Sequence, residues 1–225
     1  MSISIPSLIL LVVVTGAIVG FFWWLAAKRR SDVAGLTPHL QQHGWTWAER
    51  DDQVFAGLTA IPFGRGHSQR AHEVIQGTEP VMRAFTFRWT TGSGDNRNRH
   101  VRRVTMIKAG PVIPLTEVEP DTVVAKLETA AAGGDLNVEL ADFNKAWSVR
   151  ATDQRISHAL LHPRMIERFM QPDLYGRGVF FEQGWIGVID HVVQVRDVVD
   201  HTRSTLAIAS DLADLIPPHL VRELA

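Results

Sequence analysis

"VMRAFTFRWTTGSGDNRNRHVRRVTMIKA", residues 81–109, decides the fold, because it reads as two strands joined by a polar turn. Val81, Phe85, Phe87 and Trp89 recur at alternate positions and so share one face of an extended chain, with Arg83 the exception on that face. "TGSGDNRNR" (91–99) is a polar loop rich in Gly and Asn, and "HVRRVTMIKA" (100–109) returns as the next strand. Upstream, "AHEVIQG" (71–77) is separated from residue 81 only by "TEP", a hairpin-length connection. Three such runs in succession predict an antiparallel meander.

Working outward, "WTWAERD" (45–51) reads as a further strand and "IPFGRGHSQR" (61–70) as a loop broken by Pro and Gly. Beyond the meander, Pro120 and Asp121 can start a helix with Val123, Val124, Leu127 and Ala131 as its stripe, stopped by Gly133–Gly134. "LNVEL" (136–140) and "KAWSVRA" (145–151) flank a short connection. Asp153 can cap a helix carrying Ile156, Ala159 and Leu160, and Pro163 suits the first turn of another with Met165, Ile166 and Phe169. "GVFFE" (178–182) and "WIGVID" (185–190) make a hairpin through Gln183–Gly184. Val195 to Ile216 repeats apolar residues at three- and four-residue spacing until Pro217–Pro218 ends it. The sum is α+β, an antiparallel sheet with helices packed on it and a long C-terminal helix; a pleckstrin-homology-like roll is an alternative topology by analogy.

The front of the chain reads differently. "LILLVVVTGAIVGFFWWLAA" (8–27) holds no charge, and its twenty residues correspond to about 30 Å of helix, the thickness of a hydrocarbon core. Trp23 and Trp24 suit a headgroup zone, and Lys28, Arg29 and Arg30 follow, whereas no Lys or Arg precedes. The expectation is a single-pass transmembrane anchor over 1–30, a linker or short helix over 31–44, and a domain over 45–225, with the N-terminus outside and the body cytoplasmic. Gly16 and Gly20 form a GxxxG that could pair two anchors into a homodimer.

Composition excludes several classes. The 225 residues include no cysteine, which removes disulfide scaffolds and thiol chemistry. The net charge of -1 argues against a nucleic-acid binder. Charge is nonetheless polarised: nine Lys and Arg stand between Arg65 and Lys108 against three acids, and seven acids stand between Glu117 and Asp142 against Lys126. Arg97, Arg99, Arg102 and Arg103 concentrate the basic half and are candidates for contact with anionic lipid of the bilayer.

Three residues are the candidates for chemistry. Asp197 and His201, one helical turn apart, could present two ligands to a metal, with Asp190 and His191 near in sequence, but no complete ligand set is present. His67 adjoins Ser68 in "GRGHS", yet neighbours in an extended chain point to opposite faces, and no GxSxG elbow exists. No cofactor motif is found.

"DFNKAWSVRATDQRISHALLHPRMIERFM" (142–170) resembles a pattern in uncharacterised bacterial families of membrane-anchored domains, carried here by Phe143, Trp147, Val149, Asp153, Pro163, Met165, Glu167 and Arg168. "GWTWAERD" and "PFGRGHSQRA" look like the actinobacterial members of the same group. The resemblance implies an anchored domain and brings no catalytic residues with it. The expected function is a membrane-tethered, non-enzymatic interaction or assembly domain that binds a protein partner. The alternative is an anchored hydrolase or metal-dependent enzyme.

Overall fold

The computed structural model describes residues 5–120 and 141–224, with the side chains of its first helix from residue 14 onward, those of 26, 29 and 30 excepted. Among the described residues, eight strands form one sheet: β1 (Trp45–Arg50), β2 (His67–Thr78), β3 (Val81–Thr91), β4 (Asn98–Lys108), β5 (Thr116–Pro120), β6 (Trp147–Ala151), β7 (Gly178–Glu182) and β8 (Trp185–Asp190). Their spatial order is β1-β2-β3-β4-β8-β7-β5-β6, and every neighbouring pair is antiparallel. The helices are α1 (Ile5–Gln42), α2 (Ala141–Ala146), α3 (Gln154–Leu160), α4 (Pro163–Phe169), α5 (Val198–Asp214) and α6 (Pro218–Glu223).

The meander is present as β1 to β4, and the 178–190 hairpin has the expected bounds. β2 begins at His67, earlier than its sequence suggests, because two irregularities, between His67 and Arg70 and between His72 and Ile75, let a Gly-flanked segment pair with β3. Arg83 lies on the apolar face for a physical reason. Its guanidinium stacks 4.5 Å over the Trp185 ring and donates to Val54 O at 2.7 Å. β5 has no counterpart in the sequence reading; its inward Glu117 hides the apolar alternation.

All the packed helices lie on one face of the sheet. Val118, Val149, Val179, Phe181 and Val188 meet α2 to α5 through residues such as Phe143, Leu160, Phe169 and Leu212. Leu36 and Leu40 near the end of α1 join Ile75, Met82, Val198 and Val199 toward the β1 side. The opposite face is covered by the loop over 51–66, where Val54, Leu58 and Phe63 pack on Phe85, Phe87, Val104 and Met106. Two buried carboxylates hold this loop by accepting bonds from its backbone. Glu182 takes Thr59 N, Thr59 Oγ1 and Ala60 N at 2.6–3.0 Å, and Glu117 takes Ile61 N while pairing with Arg150.

The transmembrane anchor and its single-pass membrane assignment are overturned. Among the described residues, no helix is long and apolar enough to cross a membrane. α1 also continues without a break through Lys28–Arg30 and seats Leu36 and Leu40 in the core, so the basic triplet interrupts a helix rather than ending one. The orientation inferred from that triplet rested on the span and is taken no further.

The terminal helix is shorter than its pattern. A 3-10 turn, Val195–Asp197, precedes α5, and Pro217–Pro218 end that element only to start α6. Asp153 caps α3 by accepting from Ile156 N at 3.1 Å, and Pro163 opens α4, both as expected. The helix expected over Asp121–Gly134 and the strand over 136–140 lie outside the described residues.

Candidate functional site

Where α5 crosses β4 and β8, the interface is polar. Strand pairing sets Thr86 opposite Arg103 and Arg103 opposite Asp190, so all three side chains rise toward the helix. Arg103 is fully buried; Nη1 donates to Glu73 O at 2.9 Å and Thr86 Oγ1 at 3.3 Å, and Nη2 to Thr202 Oγ1 of α5 at 3.4 Å. Thr86 Oγ1 in turn donates to Glu73 Oε2 at 2.8 Å. Burial pulls the Arg103 guanidinium down to about 10, partly offset by the Glu73 charge, so it stays cationic at neutral pH. Among the described residues, Arg103 Nε, Thr105 Oγ1 and Asp190 Oδ2 find no hydrogen-bond partner, which marks the layer as costly.

Asp190 gathers the remaining charge. Arg177 Nε lies 2.8 Å from its Oδ2, an ion pair outside hydrogen-bond geometry; His201 Nε2 lies 3.5 Å from the same oxygen, and His191 Nδ1 touches Oδ1. His201 does not meet Asp197, which is exposed and stands beside Arg196 at 3.5 Å. The i, i+4 pair of the sequence is therefore split, and His201 and His191 converge on Asp190 instead. Among the described residues, no three His, Asp or Glu side chains are grouped to hold a metal ion.

Burial lowers the pKa of His201, against the opposing pull of Asp190 and with Arg177, Arg103 and His191 adding to the depression. A histidine depressed in the folded state binds fewer protons there than in the unfolded chain, so stability falls as pH drops through about 6.5. Urea midpoints measured from pH 7.5 to 5.5 should decline, and His201→Gln should flatten that decline. An unchanged slope would assign the pH dependence to other groups.

A second cluster lies at the start of β2. His67 Nε2 meets Gly92 O at 3.1 Å, which requires a proton on that nitrogen, and Nδ1 meets Ser68 Oγ at 3.0 Å. With the ring neutral, the Ser68 hydroxyl donates to Nδ1 while a carbonyl orients the far side. Sequence reasoning placed these neighbours on opposite faces. The structure joins them because Ser68 adopts φ +56° in the irregularity between His67 and Arg70, a conformation L residues avoid. The pair is solvent-exposed.

The remaining predicted residues sit apart. Arg97, Arg99 and Arg102 are exposed on the β3–β4 turn and β4, whereas Arg103 is buried under α5 and cannot contact lipid, a correction to its grouping with the other three. Register separates it from Arg102, since neighbouring residues of β4 point to opposite faces. Trp23 and Trp24 are exposed on α1, with Lys28 Nζ 5.5 Å from the Trp24 ring centre; the side chains of Arg29 and Arg30 are outside the described set. Gly16 and Gly20 have open space where a Cβ would stand.

No family model matches the sequence, and no curated protein matches it. Its structure is similar to the crystal structure of the mycobacterial trehalose monomycolate transport factor A, TtfA, with a TM-score of 0.52 over 79% of this chain and 92% of that one at 15% sequence identity, a likeness that shows a shared fold.

Proposed function

We propose that the chain is a non-enzymatic accessory factor that works by holding a protein partner, and that the process it serves is transport. The observation that carries this reading is the fold shared with a transport factor over 92% of the chain in that crystal structure. The use of charge supports it. Arg103, Glu73, Glu117 and Glu182 are spent on fastening α5 and the 51–66 loop to the sheet. A second reading, a hydrolase, is favoured by the Ser68–His67–Gly92 arrangement, in which a hydroxyl, a base and an orienting acceptor are already in line.

One experiment separates the two. Deleting the chain from a host that makes trehalose monomycolate should lower the transport of that molecule, and both the parent and Ser68→Ala should restore it fully. Unchanged transport after deletion would overturn the transport assignment. Failure of a Ser68→Ala chain that melts with the parent would replace the accessory role with the hydrolase.

A further inference from the structure

The far end of β2, β3 and β4 carries a feature that the proposed function does not use. Strand register sets Arg70 directly opposite Arg88, Arg88 opposite Val101, and Thr90 opposite Arg99. Thr86 and Arg103 point toward α5, so the residues two and four positions farther along their strands point to that same side. Arg70, Arg88 and Arg99 therefore stand on one face, about 4.8 Å apart between strands and about 7 Å apart along them. All three are exposed.

This arrangement is unfavourable for the free protein. Like charges directly opposed across a sheet repel. Arg70 has Asp52 at 3.8 Å, and among the described residues no carboxylate pairs with Arg88 or Arg99. Nor does a helix among the described residues cover them. α1 and the start of α5 shield the opposite end of these strands through Ile75, Met82 and Ala84.

We infer that this open arginine face binds an acidic segment of a protein partner, which rests on the reading that the chain holds such a partner. Charge complementarity selects the sign, and the shape of the surroundings selects the class. α5 stands on the same side of the sheet as a ridge about 10 Å thick. The exposed charges of α5 are Asp200, Asp211 and Asp214 against Arg203, and the Val195–Asp197 turn before it adds Arg196 and Asp197. A flat anionic membrane would meet this net-acidic ridge before reaching the arginines. A slender chain can lie in the step beside it. In an extended segment, acids at alternate positions repeat every ~7 Å, which matches the spacing along the strands. Guanidinium forks bind such carboxylates bidentately.

The test uses the full chain and a fluorescein-labelled peptide of six Glu-Thr repeats. Fluorescence anisotropy should report binding that weakens as salt rises. Arg88→Ser with Arg99→Ser should lower the affinity at least tenfold without lowering the melting temperature, and Arg203→Ser on α5 should leave the affinity unchanged. Equal binding by the double variant and the parent would overturn the proposal. So would selective loss of the double variant from phosphatidylserine vesicles with peptide binding intact, which would assign the face to lipid. Neither result bears on the transport measurement above, so the two readings fail separately.

Discussion

Gly187→Ala is expected to lower the melting temperature by roughly 6–12 °C, the counterpart of about 3 kcal/mol in a chain of this size. Gly187 pairs with Phe180 across β7 and β8, and a Cβ built there would stand 2.0 Å from one carbon of the Phe180 ring and 2.2 Å from the next. The ring cannot swing away at low cost. Phe180 is fully buried, and Phe63 of the 51–66 loop packs edge-on against it with centroids 5.7 Å apart. An aromatic laid over a strand glycine is a packing device, and the added methyl removes its seat. Phe180→Leu, which deletes the clashing carbons, should absorb most of the second cost when combined with Gly187→Ala. Calorimetry on the two single variants and the double variant reads this as non-additivity. Gly35→Ala on α1 serves as the control. A Cβ there meets nothing within 4 Å, so the change should stabilise the helix by about 1 kcal/mol. A Gly187→Ala chain that melts with the parent would show that Phe180 is not confined.

Arg103→Met should cost about 3–5 kcal/mol, because it removes the fully buried cation that bonds β2, β3 and α5 together and that offsets the Glu73 charge. The bond between Arg103 and the Glu73 backbone is lost, and Thr202 of α5 loses its bond to the sheet, while Thr86 still donates to the Glu73 carboxylate. The loss should fall on the seating of α5, so backbone amides of Val198 to Asp214 should exchange faster with solvent while β2 and β3 keep most of their protection. Glu73→Gln combined with Arg103→Met should recover much of the stability, since a neutral pair of similar volume carries no buried charge. Urea denaturation of the single and double variants checks both statements. If Arg103→Met alone unfolds within about 1 kcal/mol of the parent, the network does not hold the helix.

The meander, the 178–190 hairpin and the caps at Asp153 and Pro163 were legible because each is a local pattern. Alternation, turn length and cap chemistry act within a few residues, and the structure keeps them. α1 shows where a local pattern misleads. The apolar run at its front suggested an anchor, but a window of sequence does not show that the same helix continues past Arg30 to seat Leu36 and Leu40 against Trp45 and Met82. β5 was missed for a related reason. Glu117 looks like surface charge until Arg150 and the amide of Ile61 are brought to it from distant parts of the chain.

For the candidate sites the division is the same. Sequence found His67, His201 and the arginines of 97–103 as residue types. Register and a strained φ angle decided their roles, turning Ser68 onto His67, sending His201 to Asp190 instead of Asp197, and burying Arg103 while leaving Arg102 in water. The sequence alone determined the α+β class and the antiparallel meander, because hydrophobic period and turn chemistry are carried by neighbours. Only the tertiary structure decided which charges fasten the fold and which face outward. That choice depends on which face of a strand a residue occupies, and on what a helix from elsewhere in the chain lays over it.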